Sequence, residues 1–451
     1  MNRPTAAEAG TTARSAADCQ DKAKGEGEGE HAGGVFSRLG PGLITGAADD
    51  DPSGIATYSQ AGAQFRFSLV WTLLLTTPLM IAVQLVSARI GYITNRGLAA
   101  NMARLCPRWL TVGVVLALVV ANTINIAADV SAMAEATQLL VPGPQWAYVL
   151  AYGLLSAAAQ VYVSYERTVR ILKYLTLVLF SYVAVVLVVQ VPWARAFSEA
   201  VTPWAHAGNF AMKDYAAMVV AMLGTTISPY LFFWQATQEV EDQKCRPVPE
   251  SQRQAPARVK AHLKCIRQDT LVGMLLSNGI ALCIVLSAAV ALNLNGHTEV
   301  RSSADAAAAL QPVAGRLAFA IFSLGIIGTG LLAIPVLAGS AAFAVSEVFG
   351  WRAGLSQRFQ DARGFYAIIL AATLLGTGLS LFQVDAIAAL VWSAVINGVI
   401  AVPVMAIMLL IGRSPRLMGR FTVPRTVEVA GWLATGVMGL AALVMFVTMA
   451  L

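Results

Sequence analysis

Charge is what this chain has least of. Only 12% of its 451 residues are Asp, Glu, Lys or Arg, about half of the ~25% usual in soluble domains. With 57% of residues hydrophobic, a soluble fold would leave apolar patches well beyond the few hundred Å2 that monomers tolerate. Histidine is scarce too. His31, His206, His262 and His297 all fall in the tail or in polar connections, so no nucleophile–base pair and no intramembrane cluster of metal-ligating histidines can be assembled, which argues against an enzyme. The five cysteines, Cys19, Cys106, Cys245, Cys265 and Cys283, show no CxxC spacing and exclude a disulfide framework or a zinc ribbon. The first 35 residues have no apolar core of a cleaved signal peptide. Their polar composition and the Gly–Glu alternation at 25–30 describe a disordered tail, with His31 part of its solvated surface.

What the chain has in abundance is long apolar runs, such as Trp71–Val86, Val112–Ala121 and Ala430–Leu451. A bilayer core is crossed by about 20 residues of helix. The sequence therefore predicts an all-α polytopic membrane protein with eleven spans, at about 40–62, 67–88, 110–140, 145–164, 169–191, 215–238, 269–293, 315–347, 364–382, 386–411 and 427–450. With the N-terminus inside, all of the 31 Lys and Arg residues except Arg66, Arg195, Lys213, Arg301 and Arg316 fall on the cytoplasmic side. One miscounted span would invert every later loop and erase this bias. The net charge of +6 is thus a topology signal and not a nucleic-acid footprint. The partner is the lipid bilayer, the expected location the plasma membrane, and the tail is cytoplasmic. No oligomeric state follows from the sequence.

Polar groups inside a span are costly and usually functional. The strongest exception is Asp49-Asp50-Asp51-Pro52-Ser53-Gly54 in the first span. Pro52 removes a backbone donor and Gly54 loosens the chain, so the helix should break there. The competing reading ends the span at Ala48 and leaves the aspartates in an external loop, but Ile55–Ala63 resumes an apolar helical pattern. The sixth span carries a second interruption, Gly224-Thr225-Thr226-Ile227-Ser228-Pro229-Tyr230. Alone, this would read equally well as a proline kink with hydroxyls bonded back to the helix. The first and sixth spans, however, open two successive sets of five. Interrupted helices at corresponding places in two halves point to a transporter of inverted repeats with its site between the breaks. Free carbonyls at the half-helix ends, together with a carboxylate, suit a cation.

In the third span Asn122, Asn125 and Asp129 share one helical face, directed to the bundle interior or to water. Interhelical hydrogen bonding is the alternative. Glu135 is turned away from that face. In the tenth span Ser393 and Asn397 also share a face, where helix–helix adhesion is at least as good a reading as a site. The glycines and Pro335 of the eighth span indicate close packing with a hinge, and Ser303–Leu310 a short external helix.

The run GPGLITGAADDDPSGIATYSQAGAQFRFSLVW, followed by LVSARIGYITNRGLA, resembles the opening of the Nramp divalent-metal transporters. The resemblance continues in the two interrupted spans, the acid in the third span and the order of eleven. It implies the inverted-repeat LeuT/APC-type fold shared with amino-acid/sodium symporters. The tail is then 1–35, the first five-helix repeat 36–191, the second 215–411, and the eleventh helix lies within 412–451.

Departures from the family pattern are as informative as the match. The family's first-span motif is Asp-Pro-Gly-Asn; here Asp51 and Pro52 are followed by Ser53 and Gly54. Its sixth-span motif is Met-Pro-His; here Ser228, Pro229 and Tyr230 stand there, the ligating carbonyl falls at about Thr225, and the second histidine appears as Gln235. The third-span acid is kept as Asp129, but the acid three residues on is Ala132. Residues 364–383 lack the basic partners of proton-coupled members. Loss of a thioether and of a bulky amide leaves an oxygen-only, roomier pocket, suited to hard ions. Mg2+ keeps several waters and binds through one or two carboxylates. The candidate metal residues are therefore Asp51, Ser228, Thr225, Gly54, Asp50 and Asp129. The chain resembles the Nramp-related magnesium transporter branch. That resemblance implies Mg2+ transport with Mn2+ also accepted, driven by the gradient without protons, the dication being substrate with no cofactor. The rival readings are a proton-coupled Mn2+/Fe2+ transporter, an organic-substrate symporter on the same fold, and a metal sensor without turnover. Three aspartates at the break disfavour the symporter, and the sensor lacks an evident soluble output domain.

Overall fold

The computed structural model describes residues 41–163, 177–202, 210–245, 255–355, 357, 359–382 and 385–450. The expected tail, the connection after the fourth span and the opening of the fifth lie outside them. Helix is the only regular structure among the described residues, as the absence of water from a bilayer core demands of any span that is not a closed barrel.

The first span is two helices, α1 (Pro41–Asp49) and α2 (Pro52–Phe65). It is followed by α3 (Val70–Thr94), the short α4 (Leu98–Leu105), α5 (Arg108–Gln138) and α6 (Gln145–Tyr162). The fifth expected span contains α7 (Phe180–Val188), and the chain then turns by 109° into α8 (Trp193–Val201). The sixth is again two helices, α9 (Met212–Thr226) and α10 (Pro229–Cys245). Next come α11 (Pro256–Ala291) and the small α12 (Ser303–Ala308) and α13 (Gln311–Ala314). The long α14 (Ala318–Phe349), α15 (Arg363–Ser380) and α16 (Ala386–Arg413) follow, then α17 (Pro415–Met418) and α18 (Arg425–Ala450). Among the described residues eight helical stretches are long and apolar enough to cross a membrane, with the bent 177–201 pair as a ninth. The first and fourth expected spans are present as α1 with α2 and as α6.

Hydropathy misplaced some boundaries. The polar stretch expected as a loop at 239–268 is helical at both ends, because α10 runs on to Cys245 and α11 starts at Pro256. Pro at the first helical position and the Ala, Arg, Lys and Leu that follow favour helix without being apolar. The predicted short helix is observed as α12. Ser302 caps it, accepting from the Asp305 N–H while Asp305 accepts from the Ser302 backbone in return, a reciprocal capping box.

The half-helices are wedged into the centre. α1 packs on α11 and α10, α2 on α11 and α16, and α9 on α16, α18 and α2. Close approach depends on missing side chains. A Cβ on Gly46 would stand 2.5 Å from the Gly273 carbonyl of α11, and one on Gly224 only 2.6 Å from the Gly398 nitrogen of α16. Small residues let backbones meet in this way where lipid offers no hydrophobic drive for helices to associate.

Candidate metal site

Both breaks have a local cause. Asp51 is extended (φ −74°, ψ 170°) and caps α2: its Oδ1 accepts the Gly54 N–H at 2.7 Å, while Pro52 starts the helix with φ already set. At the second break Ile227 leaves helical geometry (φ −119°, ψ 63°). Carbonyls at the end of α9 are taken up by hydroxyls. Ser228 Oγ lies 2.7 Å from the Gly224 oxygen and 3.1 Å from that of Thr225, and Thr226 donates to Met222 at 2.9 Å. The two readings of this segment are thus both realised: the helix breaks, and its hydroxyls bond back.

Asp51 is buried, and so are Asp49, Asp50, Asp129, Thr225 and Ser228; the aspartates are not in an external loop. Three donors converge on the Asp51 carboxylate. Besides Gly54, Asn125 Nδ2 lies 3.2 Å and the Tyr230 hydroxyl 3.3 Å from Oδ2. The same hydroxyl is 3.3 Å from the Ala48 carbonyl at the end of α1. Asn125 is itself fixed from the other side, because its Oδ1 accepts from Ser393 of α16 at 2.6 Å. Ser393 in turn lies 3.4 Å from Ser53. Asn125 of the third span and Ser393 of the tenth therefore meet at the first break. Asn122 instead donates across to α14, to the Leu337 carbonyl at 2.8 Å and Ser340 Oγ at 2.9 Å, which is the interhelical adhesion reading.

Gly54 and Thr225 face each other: a Cβ on Gly54 would be 3.2 Å from Thr225 Oγ1 and 3.3 Å from the Tyr58 ring. Even a Cβ is crowded at this position, so the glycine allows close packing and the roomier pocket expected from its replacement of asparagine is not seen. Asp129, one turn beyond Asn125, has no hydrogen-bond partner on either oxygen, and the charge it feels is that of Asp51. Asp50 does not join the donors around Asp51; with Asp49 it turns to Ser277 of α11, 3.1 Å and 2.7 Å away. The Ser228 hydroxyl is occupied with its own helix, leaving its lone pairs free. Among the described residues no group of three His, Cys, Asp or Glu side chains forms a metal cage. The arrangement offers one carboxylate, carbonyls and hydroxyls, a hard-donor set.

Tyr230 could not be assigned a role from sequence, because a tyrosine in an apolar span reads as packing. A polar chain on the α1 side was also missed. Gln235 Oε1 accepts from Thr45 at 2.5 Å and Gln235 Nε2 donates to Glu239 at 3.1 Å, while His262 Nε2 stands 3.7 Å from Glu239. His262 lies on α11, not in a loop, and stacks on Tyr92 with centroids 4.2 Å apart. Glu135 accepts the Ser303 N–H at 2.7 Å, so it helps to hold the start of α12.

This bundle, with two interrupted helices crossing at a buried acid, has the architecture of a LeuT-like membrane transporter. The family model for natural resistance-associated macrophage protein-like proteins matches residues 42–448, and the chain belongs to that family, Nramp. It is 26% identical over 319 residues, 68% of this chain and 67% of the relative, to a divalent metal cation transporter MntH of Verminephrobacter eiseniae. Identity is 23% over 302 residues, 65% of this chain and 69% of the relative, with the MntH of Aeromonas hydrophila. In fold it is similar to the Eremococcus coleocola manganese transporter, with a TM-score of 0.69 at 16% identity over 92% of this chain and 88% of that one. It is more distantly similar to Mhp1 in its inward-facing conformation, at 0.52 and 11% identity over 90% of each chain.

Proposed function

We propose that the chain carries divalent metal cations across the membrane, with Mg2+ as the preferred ion and Mn2+ also accepted, each bound partly hydrated beside Asp51. The observation that supports this most is the occupancy of the Asp51 carboxylate. Two carboxylate oxygens present about four lone-pair directions; Gly54 and Asn125 use two of them, and the Tyr230 hydroxyl, as near to the Ala48 carbonyl as to Asp51, can use a third. The contacts left are too few to strip an ion that dehydrates reluctantly but suited to one that retains its waters. Asp50 and Ser228 belong to this reading at one remove, Asp50 as part of the acid pair behind the break and Ser228 through its free lone pairs. The first repeat, 36–191, and the second, 215–411, would each contribute its leading span, with the N-terminus cytoplasmic.

Transport without protons follows from the loss of the sixth-span histidines and the ninth-span cations. One observation favours a second reading, proton-coupled Mn2+/Fe2+ transport: Asp129 is buried beside Asp51 with both oxygens unpartnered, as a proton carrier would be. Proteoliposomes with a pH dye inside separate the two. A large molar excess of Mg2+ should suppress Mn2+ entry with no acidification of the lumen. Mn2+ entry indifferent to Mg2+ and accompanied by acidification would overturn the Mg2+ reading.

A further inference from the structure

The helix α8 has no part in the Asp51 site, and its surface is unlike that of a connection in water. Its nine residues reach only about 14 Å, too short to cross a bilayer. The chain turns by 109° between α7 and α8, so α8 runs nearly across the direction of the fifth span. Its exposed side chains include Trp193, Phe197 and Val201, at 60%, 73% and 52% exposure. Spaced four apart, at about 100° per residue, they form one apolar stripe. Ala196, Glu199 and Ala200 are buried, on a second side of the helix, and α8 packs on α3. Arg195 and Ser198 are exposed on the third side, from which Arg195 reaches back to Glu199 at 2.8 Å. A helix divided into protein-facing, apolar and polar sides fits the boundary of a bilayer, with the bundle beside it, acyl chains beneath and water above.

A second observation says what covers the stripe. Leu187 and Val188, in the last turn of α7, are 80% and 62% exposed, and outward apolar side chains at the end of a span meet lipid. Trp193 follows Val188 by five residues, so the stripe begins where the lipid-facing surface of the fifth span stops. Tryptophan at that level, with an apolar ring and a polar N–H, is characteristic of the membrane–water interface. A second copy of the chain is the poorer occupant, because three side chains cannot by themselves present the ~800 Å2 per partner of a stable protein interface.

We propose that α8 is an interfacial helix whose Trp193, Phe197 and Val201 side chains are sunk among the phospholipids of one leaflet, the outer one when the N-terminus is cytoplasmic. The chain leaving α8 is then fastened to the interrupted spans. Phe210, the next described residue after Thr202, packs edge-on against Phe65 at the end of α2, with centroids 5.0 Å apart, and stacks on Tyr215 of α9 at 6.3 Å. The lipid anchor thus stands a few residues along the chain from the ends of both α2 and α9. This placement is independent of which ion is carried.

Nitroxide-bearing residues placed singly at positions 193, 197, 201, 195 and 198 of the full-length protein test this in liposomes of phosphatidylcholine and phosphatidylglycerol. EPR power saturation compares collision with O2, which concentrates in lipid, and with a nickel chelate, which stays in water. Labels at 193, 197 and 201 should be accessible to O2 and shielded from nickel, with the 197 label about 5–10 Å inside the headgroup level. Labels at 195 and 198 should show the reverse. Because all five positions are exposed, the labels leave the packing of α8 intact. Nickel access at 197 equal to that at 198 would place the stripe in water and overturn the proposal. Shielding of 197 from both reagents, or dipolar broadening between copies labelled there, would show that protein covers the face and would overturn it as well.

Discussion

Asp51 serves two purposes with one carboxylate. As the cap of α2 it satisfies a backbone donor that the break would otherwise strand, a contribution of about 1 kcal/mol, and as an anion it supplies the charge at the crossing of the half-helices. Asn125 and Tyr230 hold the second oxygen, so the direction in which the carboxylate can reach is fixed from α5 and α10. On the proposed reading Ser228 decides ion softness, since the family pattern has methionine there. Ser228→Met should shift preference toward Mn2+ or Cd2+ over Mg2+, because thioether favours softer ions. Competition uptake with the three ions checks this, and an unchanged ion profile would contradict a selectivity set by ligand type. Serine also closes back on the Gly224 carbonyl, which methionine cannot do, so some loss of stability should accompany the shift.

The half-helices act as rigid units whose placement depends on backbone contact. α9 lies against α16 at Gly224 and Gly398, and a Cβ on Gly224 would collide with main chain and not with a side chain able to move. Gly224→Val should therefore cost about 1–3 kcal/mol as overpacking and appear as a lower melting temperature in detergent, with uptake reduced because Thr225 moves with the helix. An unchanged melting temperature would show that the crossing is looser than described. At this scale the breaks were legible from sequence: acids and prolines within an apolar run cost too much in lipid to sit there without a use, and their position in two sets of five added a second constraint. The partners were not. Ser277 lies 228 residues from Asp49 and Tyr230 lies 179 from Asp51, and helical periodicity says which face a residue occupies, never which helix that face meets. For the same reason Asp50 looked from sequence like a neighbour of the Asp51 site, whereas one more step of chain turns it toward α11. The start of α11 was invisible to hydropathy because its residues favour helix without being apolar, and α4, apolar but only eight residues long, is too short to register as a span.

Over the whole molecule, a fold does not fix what is carried, so the cargo has to be read from the site and not from the architecture. Low charge, apolar runs and one-sided basic residues were enough to define a polytopic bundle. They say nothing of the ion, which rests on a few positions at two breaks. Of these positions the buried carboxylate at the first break matters most to the proposal, which makes it the contact for the transported dication. Its role is open to a direct check: Mg2+ and Mn2+ uptake into proteoliposomes by Asp51→Ala, with its melting temperature and elution profile compared with wild type. A folded, purifiable protein with uptake of both ions abolished is the expected result; uptake at the wild-type rate from that variant would remove Asp51 from the transport site.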